Sequence, residues 1–255
     1  MTTTTGPFAP ASGAEVRRSP LAVLAEAATR ALADGQAVAV VRGFDRESRR
    51  RARTVRDHLA GLGVPSVEAT PAPDSWPTPA GNASPVGAVV NVAGSGSWDA
   101  HRIAAQLDAP LFALDETGEN SENGENGENG TAGQPEVAER RLDLIEVRGA
   151  RGDQDIALSH VTLLPEDLDD AELAVIVDGA RHVVRGAQLR TGLHEHLLRA
   201  RVIGGADEHV AAELTVEPVA GVVRLVRDGL PVDELTAPVT LVARPEALTV
   251  HLVRA

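Results

Sequence analysis

The residues best placed to do chemistry lie in VVNVAGSGSWDAHRIAAQL, Val89 to Leu107. An apolar run, the turn Gly94-Ser95-Gly96-Ser97 and an amphipathic segment follow one another, with Ser97 in position to cap a helix. Glycines at such a turn let backbone N–H groups approach an anion, and the helix start adds partial positive charge. The spacing therefore suits a phosphate; it equally suits a tight strand-to-helix turn that needs small residues. His194-Glu195-His196 puts two imidazoles at alternate positions, which would share one face of a strand. Two ligands with no third do not make a metal site, so a solvent-facing turn or strand is expected and no metal is assigned. His101 and His160 stand singly in amphipathic segments, where packing or capping is the expected role, and Asp143, Asp153, Asp155 and Asp178 read as turn or strand-end residues. No Ser/His/Asp triad is visible from spacing.

A second cluster is basic. Arg46, Arg49, Arg50, Arg51, Arg53 and Arg56 crowd one predicted helix. Guanidinium forks pair well with phosphate, so Arg49, Arg50 and Arg53 are candidates for contact with a nucleotide or with anionic lipid headgroups at a membrane surface. A solvated helix face, or one neutralised by acidic chain elsewhere, explains the same residues.

Composition narrows the chemistry further. The 255 residues carry a net charge of −13, and all 24 basic residues are arginine. Without lysine there is no Walker A phosphate lysine and no Schiff base. Without cysteine there is no disulfide, thiolate nucleophile or cysteine-based metal site. The acidic balance argues against nucleic acid as a partner. No apolar run reaches the ~20 residues of a membrane span, and the opening MTTTTGPFAPASG lacks the core of a signal peptide, so a cytoplasmic protein is expected.

The elements that must position these residues alternate at first. Residues 1–18 read as a disordered lead-in. Ser19-Pro20 opens a helix carrying Leu21, Leu24, Ala28 and Leu32, which Gly35 stops. AVAVV (Ala37–Val41) reads as a strand buried on both faces, and Asp45 caps a helix with Ala52, Val55, Leu59 and Leu62 inward. Strands at Ser66–Thr70, Val86–Gly94 and Pro110–Leu114, with a helix before the last, complete an α/β unit over 19–114 with a parallel sheet. Residues 115–138 hold a degenerate ENG repeat and read as an acidic low-complexity linker; its first 16 positions carry six acids and no base. From 139 to 255, seven to nine short alternating segments, with Asp178-Gly179 and Asp228-Gly229 as hairpin turns, predict an antiparallel β-sandwich or open barrel, of which the sandwich is the expected one.

The chain resembles the diacylglycerol kinase and NAD kinase superfamily, whose nucleotide-binding turn joins an apolar strand, a GGDGT motif, a helix and a proline-led strand. Ala93-Gly94-Ser95-Gly96-Ser97 stands at the motif and Pro110-Leu111-Phe112-Ala113-Leu114 at the strand. Asp228-Gly229 resembles the late DGE motif of bacterial lipid kinases, Arg244-Pro245-Glu246-Ala247-Leu248 their closing turn, and Ala157-Leu158-Ser159-His160 the ALNE stretch of NAD kinases. The resemblance implies ATP and Mg²⁺ as cofactors, an interdomain cleft lined by Gly94–Ser97 with Asp228 and Gly229 nearby, and phosphorylation of a lipid or similar hydroxyl.

The departures are chemical. Ser95 replaces the aspartate that helps organise Mg²⁺, and a neutral hydroxyl cannot supply that charge. Leu230 replaces the glutamate base of DGE and cannot take a proton. The expected activity is therefore nucleotide or phospholipid binding with phosphotransfer impaired or lost. The alternatives are a regulatory or scaffold module on the same fold, dimerising through its β-domain, and a divergent active kinase.

Overall fold

The computed structural model describes residues 19–71, 84–94, 98–115, 137–150 and 154–254. The lead-in 1–18, nearly all of the expected linker and Asp153 lie outside these residues.

Helix α1 (Pro20–Arg30) starts after Ser19, whose side chain makes no capping bond, and buries Val23, Leu24 and Ala28. Strand β1 (Ala37–Val41) is buried at every position, as a strand between two helical layers must be. Helix α2 (Arg46–Gly61) is capped by Asp45, whose carboxylate accepts a 2.8 Å bond from the Ser48 amide. Ala52, Val55 and Leu59 face inward, but Leu62 is 49% exposed. The helix ends before it, and Val64, whose amide bonds the Leu59 carbonyl, packs against this core instead.

Strands β2 (Ser66–Ala69), β3 (Val86–Asn91) and β4 (Leu111–Leu114) join β1 in a parallel array ordered β2-β1-β3-β4. Helix α3 (Asp99–Gln106) lies between β3 and β4 in sequence. Helices α1 and α2 cover one face of the array, and α3 covers the other.

Twelve strands follow among the described residues rather than seven to nine: β5 (Val137–Gly149), β6 (Gln154–Ala157), β7 (His160–Pro165), β8 (Glu172–Val177), β9 (Ala180–Arg185), β10 (Gln188–His194), β11 (Leu197–Ile203), β12 (Glu208–Ala211), β13 (Glu213–Ala220), β14 (Val223–Arg227), β15 (Leu230–Glu234) and β16 (Val239–Val253). Local geometry splits several expected segments. The chain turns at Gly186, which has φ +60°, and leaves the ladder at Ser159. Conversely, the last two expected segments are one strand, β16, with a register shift between Arg244 and Leu248. Strand β5 begins inside the last two positions assigned to the linker.

One six-stranded antiparallel sheet, β12-β11-β10-β7-β14-β15, packs against the antiparallel part of a ten-stranded sheet. Their facing side chains, including Leu163, Leu189, Leu214 and Leu241, form the sandwich core. The fold is thus an α/β unit with a parallel sheet followed by an antiparallel β-sandwich. Strand β16 belongs to both: its start pairs antiparallel with β13 and its end pairs parallel with β4. The larger sheet runs continuously from the α/β unit into the sandwich.

Candidate functional site

Gly94, in the loop after β3, has φ +95° with no described atom near a would-be Cβ, so glycine is required by backbone conformation rather than by crowding. Ser95, Gly96 and Ser97 lie outside the described residues. Trp98 occupies the position before α3 without a side-chain cap, and Asp99 occupies the first turn. A carboxylate there takes the favourable end of the helix dipole that an incoming phosphate would otherwise use.

One turn along α3, Arg102 projects into the junction with the sandwich. Its side chain is only 4% exposed, and its Nη2 lies 3.1 Å from Oδ2 of Asp228, while Nη1 lies 3.6 Å from Asp99. Asp228 belongs to the turn between β14 and β15, where Asp228 (φ +49°) and Gly229 (φ +82°) are both left-handed. That is the geometry favoured in two-residue hairpins. The turn aims the Asp228 carboxylate back across the sheet at the gap between β6 and β7. Oδ1 accepts from the Ser159 amide at 2.8 Å, the Ser159 hydroxyl at 2.9 Å and the His160 amide at 3.1 Å, and Oδ2 accepts from the Leu158 amide at 2.9 Å. With Arg102, five donors converge on one carboxylate, which offers about four lone-pair sites. Burial pushes the Asp228 pKa up, but the amides of Leu158, Ser159 and His160 outweigh it and hold the carboxyl below its ordinary value.

Beside this pair, Arg227 forms an ion pair with Asp155. Burial first, and then the neighbouring Arg102 guanidinium, push Arg227 below its ordinary pKa. Both arginines keep a buried Nε–H with no hydrogen-bond acceptor among the described residues. Next to Asp155 a cavity of about 380 Å³ opens, lined by Gln106 at the end of α3 and by Leu144, Glu146, Gln154, Asp155, Ile156 and Arg244. Glu146 is clamped by Arg148 at 2.7 Å and by Arg244 at 2.7 Å, and those bonds hold its carboxyl below the usual range.

Ser159, His160 and Asp228 do come together, though their spacing gives no sign of it. The order differs from a nucleophilic triad. The Ser159 hydroxyl touches Asp228 directly and lies 2.8 Å from His160 Nδ1, so the acid contacts serine rather than orienting the imidazole. A carboxyl held below its ordinary pKa is also a weak base. His194-Glu195-His196 forms the β10–β11 turn, with φ +51° at Glu195 and +67° at His196. His196 Nδ1 lies 2.9 Å from Asp143, whose other oxygen accepts the Glu246 amide at 2.9 Å, so the tripeptide pins a hairpin tip to the β16 irregularity. Among the described residues, no three histidines or carboxylates gather around a point that would hold a metal.

Arg102, buried, and Arg227, partly buried, do not stand out in the sequence. The available signal is weak: Arg102 sits beside Ile103 on the face of α3 that turns inward, where a cation needs a partner. Of the basic helix, Arg49 and Arg53 line a groove with Arg42 and Arg56, whereas Arg50 turns to Glu47 at 2.9 Å.

No protein-family model matches the sequence, and no curated protein matches it. Solved structures do. The chain is similar in fold to two kinases. One is an NAD kinase from Archaeoglobus fulgidus in complex with ATP, 16% identical, aligned over 84% of this chain and 92% of that one, with a TM-score of 0.48. The other is a diacylglycerol kinase from Bacillus anthracis str. Sterne, 9% identical, aligned over 85% and 96%, with a TM-score of 0.45. Among the described residues, no helix is long and apolar enough to cross a membrane.

Proposed function

We propose that the protein binds a nucleotide or phospholipid at the junction between α3 and the sandwich and does not transfer phosphate. The observation that carries this reading is the occupancy of Asp228. A carboxylate that already takes five donors has no lone pair to offer a hard cation, and its depressed pKa makes it a poor proton acceptor. Mg²⁺ therefore does not fit at Asp228. Phosphoryl transfer depends chiefly on metal, positioning and charge neutralisation, so Ser95 in place of the Mg²⁺-organising aspartate, with Asp228 unable to take over, removes most of the catalysis. Leu230, at the position of the family's base, is 52% exposed and chemically inert.

Binding is supported by other features. The Gly94 turn precedes α3, and the Nε–H groups of Arg102 and Arg227 are donors that a phosphate oxygen could satisfy after a small opening of the junction. Thermal shift with ATP, with and without Mg²⁺, tests the reading. A ligand at 100 times its Kd stabilises by about 2.7 kcal/mol, so a shift that does not need Mg²⁺ and comes without turnover on diacylglycerol, sphingoid bases or NAD is expected. Steady turnover on any of the three would refute it. A protein stabilised by no nucleotide or phospholipid would instead favour the scaffold alternative.

A further inference from the structure

The basic helix acquires a second side in the fold. Arg49, Arg53 and Arg56 follow one another along the face of α2 that looks toward edge strand β2, and Arg42 reaches in from the end of β1. Together with Ser66 and Glu68 of β2 they enclose an open groove of about 460 Å³, within the range of small-ligand sites.

Its charges are arranged, not scattered. Glu68 accepts from Arg42 Nε at 2.6 Å and from Arg56 Nη1 at 3.1 Å, which fixes two guanidinium planes on one wall. Arg49 is positioned by a 2.7 Å bond from Nη2 to the Phe44 carbonyl, and its other donors bond no described residue. Arg53 makes no hydrogen bond or ion pair with any described residue. Four guanidiniums thus face two carboxylates, Glu68 and Asp57, in a chain whose overall charge is −13. Like charges gathered in a concave surface focus a positive potential, which favours an anion between them. The site is separate from the junction described above: α2 covers one face of the sheet and α3 the other, and β2 is the edge strand farthest from the sandwich.

We propose that this groove binds a phosphate monoester or pyrophosphate group, with Arg49 and Arg53 as its principal ligands. Arginine forks match phosphate oxygens in pairs, and the fixed Arg42–Glu68–Arg56 wall presets part of the geometry. The phosphate can arrive on a free small molecule or on a lipid headgroup; Phe44, whose carbonyl holds Arg49, is 61% exposed just before α2.

The test uses the full chain with two probes: sodium pyrophosphate by calorimetry, and phosphatidylcholine vesicles with or without phosphatidic acid by sedimentation. The Arg53→Gln variant breaks no bond to a described residue and should weaken binding at least tenfold; Arg49→Gln with Arg53→Gln should abolish it. Arg190→Gln, an exposed arginine on β10, should leave binding unchanged. Saturable pyrophosphate binding lost in Arg53→Gln supports a free phosphate ligand. Retention on phosphatidic acid vesicles alone, also lost in Arg53→Gln, supports a headgroup. The proposal is overturned if neither probe binds, if Arg53→Gln binds as tightly as the parent, or if Arg190→Gln weakens binding equally. Arg53 lies on the opposite face of the sheet from α3, so binding that is lost in Arg53→Gln belongs to this groove, whereas binding that Arg53→Gln leaves intact belongs to the α3 junction.

Discussion

Arg102 Nη2 and Asp228 Oδ2 are 3.1 Å apart although 126 positions separate them in the chain. One residue comes from the last helix of the α/β unit and the other from a hairpin turn of the sandwich, and both are more than nine-tenths buried. Removing one partner of a buried pair leaves an uncompensated charge, which costs about 3–5 kcal/mol. Asn tolerates the left-handed backbone at this turn, so Asp228→Asn isolates the loss of charge from any turn strain. Urea unfolding should show a destabilisation of that size. A change under about 1 kcal/mol would mean that the amides of Leu158–His160, not the ion pair, set the value of the site.

The same geometry predicts acid lability. Asp228 and Glu146 both have carboxyls held below their ordinary values, so the folded chain binds fewer protons than the unfolded chain in the acid range. Stability from these groups is fully present above the unfolded pKa values, near 4, and is lost as pH falls through the lower folded values. The melting temperature should hold from pH 7 to about 5 and drop steeply below about 4. In Asp228→Asn the acid part of this slope should be shallower.

How much of this could be read from the chain follows from what each residue's neighbours demand. The five-residue run AVAVV announces a doubly buried strand because nothing polar interrupts it, and Asp45 announces its cap because the amide it satisfies is three residues away. Asp-Gly at 178–179 and 228–229 announces hairpins through local backbone preference. The candidate site is only half legible. Asp228 is visible as a turn residue, but its donors come from residues about 70 positions earlier, and no local pattern encodes that convergence. The sharing of β16 between two units is hidden for the same reason.

Two turn glycines separate backbone strain from crowding. Gly229 has φ +82° with open space around a would-be Cβ, so Gly229→Ala meets only the left-handed penalty, about 1 kcal/mol. Gly221 has φ +73°, and a Cβ there would sit 2.9 Å from the Ala171 Cα and 3.0 Å from the Asp170 carbonyl. Backbone atoms cannot step aside, so Gly221→Ala should cost clearly more than Gly229→Ala in chemical denaturation. Equal costs would show that the loop between β7 and β8 yields.

Strand β16 predicts the unfolding behaviour. Leu241 at its start is fully buried in the sandwich core, and Leu248, 1% exposed, packs with Ile103 and Leu111 under α3. A strand that contributes to both cores should couple them. Leu241→Ala and Leu248→Ala should each cost about 2–5 kcal/mol and lower one common calorimetric transition. Two transitions, each responding to only one of the variants, would show that the units melt independently.

Two acids that the resemblance leads one to expect, at 95 and 230, are absent. The double variant Ser95→Asp with Leu230→Glu introduces a charge and a base at the positions where the motif resemblance would place them. If their absence were the whole defect, the double variant would transfer phosphate. Asp228, however, would remain bonded to Arg102 and to three amides, and the carboxylate introduced by Leu230→Glu, two residues further along the chain, would still lack a metal-organised acceptor. The double variant should therefore show no ATP-dependent turnover on diacylglycerol, sphingoid bases or NAD. The triple variant that adds Arg102→Met frees one acceptor of Asp228 and is the first in which Mg²⁺-dependent ATP binding should appear. Turnover in the double variant would show that Asp228 exchanges its partners readily and that the junction is not locked.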